Sequence, residues 1–134
     1  MKKTPVFVFG NIILKQDAQA IRLLPDLWAR YKDFEFIHAD PTDSWWEGSK
    51  RPIIIDTVAG LHIVKQFSSI DSFEEPKARI TPHDYDLFMD LGFLLKLKKI
   101  SSFIIIGIPE KGAKNHILKE IGSILKSIPV ESSV

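Results

Sequence analysis

The chain has 134 residues, of which 45% are hydrophobic, and this size suits one compact domain over residues 1–134. Its 18 basic and 17 acidic residues give a formal net charge of +1, so electrostatics provide no reason to expect a nucleic acid or an anionic membrane as partner. The absence of cysteine excludes disulfides, thiolate metal ligands and a cysteine nucleophile, and it fits a reducing compartment.

Hydrophobic stretches are short throughout the sequence. The apolar run behind Lys2 and Lys3 stops at Phe9, which is too short for a signal peptide. No stretch approaches the roughly 18 apolar residues that a membrane-spanning helix needs. We therefore expect a cytoplasmic protein with no membrane insertion.

Strands and helices alternate along the first third of the sequence. Pro5–Phe9 is a β-branched and aromatic run that ends at a Gly-Asn pair, which predicts a buried strand and a turn. A helix is predicted from Asp17 onward, with a kink at Pro25. Phe34–Ala39 predicts a second strand, and residues 40–44 predict the turn that ends it. The predicted helix carries an apolar stripe of Ala20, Ile21, Leu24, Leu27, Trp28 and Tyr31.

The middle of the sequence predicts the centre and one edge of a sheet. Residues 52–58 contain the run Ile53–Ile55, which is typical of a strand covered by helices on both faces. The link to Leu61–Phe67 is too short for a helical crossover, so we expect that segment to be the antiparallel hairpin partner of the central strand. Trp45 and Trp46 fit either an exposed docking patch or a tucked-in loop.

The rest of the sequence predicts a helix, a strand and another helix. Thr81 and Pro82 provide an N-cap and a first-turn proline for a helix through residues 87–95. Ser102–Ile108 predicts a buried parallel strand, and the apolar spacing of residues 117–128 predicts a closing helix. The pattern indicates a three-layer α/β/α sandwich with right-handed crossovers, whose mostly parallel sheet has about five strands and one antiparallel edge strand.

Asp17, Asp56 and His83 each come after a predicted hydrophobic strand. In open α/β sheets, ligands bind beyond the carboxyl ends of the strands, so side chains in these places converge. Two carboxylates and an imidazole in one place would form a metal site. Each residue also has a structural interpretation: Asp17 caps a helix, Asp56 bonds turn amides, and His83 is an ordinary residue of a helical first turn.

Three segments resemble, in order, the hydrogenase maturation proteases. Residues 9–22 contain the Gly-Asn pair, a short apolar stretch, Asp17 and the start of a helix. Ile55-Asp56-Thr57 matches the family's later strand ending in aspartate, and Thr81-Pro82-His83 matches the Ser-x-His segment that opens another helix. Residues 106–109 are similar to the family's last strand. The resemblance covers nearly the whole chain and implies a phosphorylase/hydrolase-like sandwich.

The resemblance implies an endopeptidase that removes the C-terminal extension from the large-subunit precursor of a nickel-iron hydrogenase. The family's metal-contacting and catalytic positions fall on Asp17, Asp56 and His83. The implied metal is Ni²⁺ supplied with the substrate, and other divalent ions are expected to substitute for it in the isolated protein.

Gln16, Ala18 and Ala20 stand where the family has a second acidic residue and two glycines. This departure keeps open a second function, a non-catalytic factor that binds the hydrogenase precursor during assembly. A third possibility is a small-molecule-binding α/β domain with no role in hydrogenase maturation.

Overall fold

The computed structural model describes residues 3–9, 19–39, 49–58, 61–68 and 82–128, with the backbone alone for residues 82–88. Several predicted features lie outside these residues: the Gly-Asn turn with Asp17, the turn at residues 40–44, Trp45 and Trp46, and Thr81. The elements in chain order are β1 (Thr4–Phe9), α1 (Gln19–Arg22), α2 (Leu24–Arg30), β2 (Phe34–Ala39), β3 (Ile53–Thr57), β4 (Lys65–Phe67), α3 (Pro82–Lys96), β5 (Ile104–Ile108) and α4 (Lys114–Ser127).

The sheet has the strand order β2-β1-β3-β5-β4. β1 pairs in parallel with both β2 and β3, and β3 pairs in parallel with β5. β3 is therefore the central strand, as the three consecutive isoleucines predict. The predicted parallel sheet with one antiparallel edge strand is confirmed.

The predicted hairpin between β3 and the segment after it is wrong. β4 is antiparallel and lies at an edge, but its partner is β5. Both sides of β3 are already occupied by β1 and β5, so no backbone groups of β3 remain for a hairpin. Only Lys65–Phe67 of the predicted segment is a strand.

Alternate residues of the central strands serve two separate cores. Ile53 and Ile55 belong to the cluster that includes α1, α2 and α4. Ile54 belongs to the cluster that includes Leu91 and Leu94 of α3. Since successive side chains of a strand point to opposite faces, helices cover both sides of the sheet. The three-layer α/β/α architecture is confirmed.

The helix predicted from Asp17 is divided into two in its described part. Leu23 separates α1 from α2, and Pro25 lies in the first turn of α2, where a missing N–H has no consequence. The break also changes which side chains are buried. Leu23 is buried, whereas Trp28 from the predicted apolar stripe is 43% exposed and packs edge-on against Phe36.

α2 and α4 lie side by side on one face of the sheet. The Tyr31 hydroxyl donates a hydrogen bond to the Leu118 carbonyl oxygen at 2.7 Å. At the surface, Lys114 pairs with Asp26 at 2.6 Å. The Tyr31 ring occupies the space that a side chain at Gly122 would need. Gly122 therefore permits the close approach between the ring and the backbone of α4.

Gly107 permits a second close approach, beside the central strand. It is the register partner of Asp56 in β3 and of Lys65 in β4. A Cβ at this position would lie 2.8 Å from Phe67 Cε2 and 3.0 Å from Leu61 Cδ1. The missing side chain leaves room for Phe67 and Leu61 to pack against β5.

α3 ends in a left-handed residue, Lys98, with φ of 60°. The Lys98 N–H donates to the Leu95 carbonyl at 3.1 Å, and the Lys99 N–H donates to the Leu94 carbonyl at 2.9 Å. This pair of bonds is the Schellman arrangement, which usually has glycine at the left-handed position. Among the helices that the structure describes, none is long and apolar enough to cross a bilayer.

The substitution Gly122→Ala is expected to destabilise the protein despite the better helix propensity of alanine. The propensity gain is about 1 kcal/mol. The Tyr31 ring must move, with loss of packing and of its hydrogen bond, and these losses together amount to about 2 to 4 kcal/mol. Chemical denaturation should show a net loss of stability. Ser123→Ala, on the exposed side of the same helix, is the control and should be neutral or slightly stabilising. An equal gain in both variants would contradict the packing role of Tyr31.

The substitution Gly107→Ala is expected to lower the free energy of unfolding by about 1 to 3 kcal/mol, because Phe67 or the strand backbone must shift. Chemical denaturation measures the loss. Phe67→Leu provides a background with a smaller side chain beside Gly107. In that background, Gly107→Ala should lower the free energy of unfolding by less than it does in the wild type. Equal costs of Gly107→Ala in the two backgrounds would show that Phe67 is not the limiting contact.

Candidate functional site

Asp56 is the fourth residue of β3, at the carboxyl end of the central strand. Its side chain is 2% exposed, and it is the only charged residue that is buried in the part of the chain that the structure describes. Moving a carboxylate out of water is unfavourable unless its surroundings compensate. Buried ionisable groups at the carboxyl ends of parallel strands are therefore candidates for function.

Alternation along β3 determines the face on which Asp56 lies. Ile54 faces the α3 side of the sheet, so Asp56, two residues later, faces the same side. Gly107, its register partner on β5, adds no side chain there. Phe67 and Leu61 fill the space beside Gly107. Lys65 is in register with Gly107 on β4, and its Nζ lies 5.3 Å from the centre of the Phe67 ring, so the far side of Gly107 from Asp56 combines apolar side chains with one cation.

Thr57 faces the opposite side and holds the start of α1. Its Oγ1 accepts a hydrogen bond from the Ala20 N–H at 3.1 Å, and both residues are fully buried. Ala20 is the second residue of α1, so its N–H has no partner within the helix. The carboxyl end of β3 is thereby fixed to the beginning of α1. Asp17 precedes this helix in sequence and lies outside the described residues.

The loop that follows α3 lies at the amino-terminal edge of the sheet. The Ser101 N–H donates to the Lys50 carbonyl at 2.7 Å, and the Ile104 N–H donates to the Pro52 carbonyl at 3.0 Å. Lys50 and Pro52 immediately precede β3. A 15-residue helix is about 22 Å long, which exceeds a five-residue strand of about 17 Å. Since α3 packs on the sheet through Leu91 and Leu94, its first turn is directed towards the carboxyl edge.

His83 is the second residue of α3, so its predicted position in a helical first turn is confirmed. Its side chain is outside the described residues. The predicted trio therefore has one member whose surroundings are described, Asp56. Among the side chains that the structure describes, no three His, Asp or Glu residues lie close enough to hold a metal ion. The metal-binding role of Asp17, Asp56 and His83 stays a prediction.

Of the predicted donor set, the described side chains include the carboxylate of Asp56. A buried carboxylate provides oxygen ligands, and a second carboxylate with an imidazole would complete a set that borderline ions such as nickel accept. Three other histidines lie in the described residues, and His38 is exposed on β2. His62 is exposed, and His116 pairs with Glu120 on the surface of α4 at 2.6 Å.

The described residues also form a cavity of about 170 Å³ at the other end of the sheet. It opens where the chain enters β1, β3 and β5, so it is distant from Asp56. Its lining mixes hydroxyl groups, one guanidinium and apolar side chains: Thr4, Pro5, Ser49, Arg51, Ile53, Ser102, Ile104 and Ile128. This cavity is not part of the predicted site.

Sequence reasoning did not assign site roles to Thr57 and Gly107. Thr57 follows Asp56 directly, so it must point to the opposite face of a strand that is buried on both sides. A hydroxyl in that place needs a hydrogen-bond partner. This need is the sequence signal that could have indicated a role for Thr57. Gly107 lies in a run of isoleucines, where a glycine indicates close approach of a neighbouring group.

The sequence matches no protein-family model, and it has no significant match among curated proteins. Solved structures are similar over almost the whole chain. The NiFe hydrogenase maturation protease HybD from Thermococcus kodakarensis is 18% identical, with a TM-score of 0.68 over 93% of this chain and 97% of that one. The hydrogenase maturating endopeptidase HybD from E. coli is 17% identical, with a TM-score of 0.60 over 93% of each chain.

An uncharacterized protein from Wolinella succinogenes is also similar, with 15% identity and a TM-score of 0.59 over 93% of this chain and 96% of that one. At these identities the likeness concerns the fold. It agrees with the resemblance that the segments around Asp17, Asp56 and His83 indicate in the sequence. This chain therefore has the fold of the hydrogenase maturation endopeptidases, with a buried aspartate at the carboxyl end of its central strand.

Proposed function

We propose that this chain recognises the large-subunit precursor of a nickel-iron hydrogenase in a nickel-dependent manner and removes its C-terminal extension by endoproteolysis. The observation that supports this most strongly is the similarity of the fold, over nearly the full length, to two solved hydrogenase maturation endopeptidases. Fold alone does not specify chemistry. The proposal therefore also rests on the residues at one edge of the sheet.

Asp56 supports the proposal through its position and burial. It lies at the carboxyl end of β3, on the face covered by α3, and His83 is in the first turn of that helix. Thr57 ties the other face of the same strand end to α1, and in sequence Asp17 is three residues before Ala20. α1 is thus tied to this strand end and the first turn of α3 is directed towards the same edge, which supports a site that Asp17 and His83 would share with Asp56.

In this proposal the carboxylates of Asp17 and Asp56 and the imidazole of His83 contact a nickel ion that arrives with the precursor. A bound divalent ion can polarise a scissile carbonyl or lower the pKa of a water molecule. The burial of Asp56 would limit water around its carboxylate, which strengthens electrostatic interactions there. Recognition of the ion would restrict cleavage to precursors that already contain nickel.

Asp56→Asn is expected to reduce precursor cleavage about a hundredfold or more, because a positioned carboxylate contributes on this scale to hydrolysis. The measurement is the mass of nickel-loaded precursor over time after mixing with purified protein. His83→Ala and Asp17→Ala are tested beside it, with Asp33→Ala, at an exposed turn, as the control. Thermal unfolding of each variant separates loss of function from loss of fold.

Full cleavage by a folded Asp56→Asn variant would exclude Asp56 from the chemistry. Equal cleavage of nickel-free and nickel-loaded precursor would contradict the dependence on nickel. A precursor that binds wild-type protein without any change in mass would favour the second candidate function, the assembly factor. That candidate is motivated by the departures from the family at Gln16, Ala18 and Ala20. Ala20 is fully buried, so its methyl group is part of the core.

Thr57→Val is expected to slow cleavage by loosening the start of α1. Valine keeps the shape of threonine but cannot accept the hydrogen bond from Ala20, which leaves a buried N–H unsatisfied at about 1 to 3 kcal/mol. Thr57→Ser keeps the acceptor and is the matched control. Cleavage is measured well below the unfolding temperature of both variants. Equal rates for valine and serine would show that the hydrogen bond does not position the site.

A further inference from the structure

The cavity at the amino-terminal edge of the sheet continues one of the two cores. It lies where three neighbouring strands begin, β1, β3 and β5. Ile53, Ile104 and Ile128 line it, and the same residues belong to or pack against the core cluster that includes α4. The side of the cavity towards the core is therefore aliphatic. Ligands of open α/β sheets usually bind at the opposite, carboxyl edge, so this cavity is separate from the site at Asp56.

Backbone hydrogen bonds hold the surroundings of this cavity in place. The Ser101 N–H donates to the Lys50 carbonyl at 2.7 Å, which joins the segment before β5 to the segment before β3. The Thr4 N–H donates to the Asp33 carbonyl at 3.2 Å, which joins the start of β1 to the segment before β2. A site that is formed before its ligand arrives loses less conformational entropy on binding.

The polar groups of the cavity are one guanidinium, that of Arg51, and three hydroxyls. The hydroxyls belong to Thr4, Ser49 and Ser102. None of the described residues that line the cavity carries a carboxylate. Lys3 and Lys50, which are adjacent in sequence to lining residues, are exposed and add positive charge around it. Asp33 adds one negative charge beside the start of β1, so the described surroundings are basic on balance.

Two of these polar groups have no partner among the described residues. Ser49 is 6% exposed, and its hydroxyl makes no hydrogen bond to another described group. Arg51 makes no ion pair with a described carboxylate. Polar groups of buried residues are almost always hydrogen-bonded. The Ser49 hydroxyl therefore takes its partner from whatever fills the cavity.

We propose that this cavity binds a small organic carboxylate, with its anionic head on Arg51 and the hydroxyls and its apolar body against the isoleucines. A planar guanidinium matches a carboxylate through two parallel hydrogen bonds, and hydroxyls can donate to the same oxygens. The cavity volume is about 170 Å³. An apolar cavity of about 150 Å³ accommodates benzene, so a carboxylate on a six-membered ring or a short aliphatic chain fits.

The charges around the cavity favour this ligand class over others. A cation would meet the Arg51 guanidinium, and a wholly apolar molecule would leave Arg51 and Ser49 without partners. A phosphate monoester carries a charge of about −1.5 to −2 at neutral pH, whereas one guanidinium lines the described cavity. Ile128 follows the last residue of α4, and a helix C-terminus disfavours anions. The apolar body rather than the head therefore lies against Ile128.

The first test is a titration of the protein with benzoate at constant ionic strength, followed by NMR of the isoleucine methyl groups. The signals of Ile53, Ile104 and Ile128 should shift together with one dissociation constant, in the millimolar range expected of so small a ligand. The signal of Ile63, which is exposed elsewhere, should not move. Benzamide has the same shape without the charge. It should bind about tenfold more weakly or worse, because it cannot form the charge-assisted pair with Arg51.

The second test compares two variants that remove the same charge from adjacent positions. Arg51→Gln should weaken benzoate binding about tenfold or more. Lys50→Gln is the matched control, because Lys50 is exposed and is not among the lining residues, and it should retain the affinity within about twofold. Ser49→Ala should weaken binding about two- to tenfold through loss of one hydrogen bond. Thermal unfolding without benzoate shows that each variant is folded, and Ser49→Ala tests the site independently of Arg51.

Three results would overturn the proposal. Methyl signals of Ile53, Ile104 and Ile128 that do not move up to the solubility limit of benzoate would show that the cavity holds water only. Equal affinities for benzamide and benzoate would show that the charge is not recognised. Equal effects of Arg51→Gln and Lys50→Gln would exclude Arg51 from the site. None of these measurements involves cleavage, so their outcome is independent of the proposed protease function.

Discussion

The burial of β3 on both faces and along both edges is the constraint on which the rest of the structure depends. Parallel strands occupy both of its sides, β5 along its whole length and β1 along Ile53–Ile55. Its side chains supply two cores in alternation, Ile53 and Ile55 to one and Ile54 to the other. A single residue of insertion or deletion in this strand would exchange the two cores. Asp56, at the end of this strand, is held in register with Gly107 of β5.

Because successive side chains of β3 face opposite sides of the sheet, the two residues at its carboxyl end face two different helical layers. Asp56 and Thr57 are adjacent in sequence but face opposite sides of the sheet. One lies on the face of α3, and the other bonds to the start of α1. The end of β3 therefore presents one side chain to each helical layer. The carboxyl end of β3 is therefore the part of the sheet relative to which both helices are positioned.

Most of the fold was predictable from the sequence because its signals are local. The isoleucine run gave the central strand, and Pro25 gave the break in the first helical region. The pairing of β4 was not predictable, because short separation in sequence favours a hairpin, whereas the choice of partner depends on which strand sides remain open. The exposure of Trp28 was missed because a break at Leu23 rotates the two halves of an apolar stripe relative to each other. For the site, the sequence selected Asp56 at a strand end, but no periodic pattern could assign a role to Thr57 or Gly107.

The insertion of β5 between β3 and β4 has a consequence for the order in which the protein folds. β3 and β4 are close in sequence. However, β5, which lies between them in the sheet, follows α3 in the chain. During synthesis from the amino terminus, β1, β2 and β3 can pair before β5 exists, but β4 has no partner until then. The open side of β3 is meanwhile an apolar strand edge in an unfinished sheet. Such an edge favours aggregation and slow, non-local closure, so pairing with β5 removes the open edge of the central strand only late in synthesis.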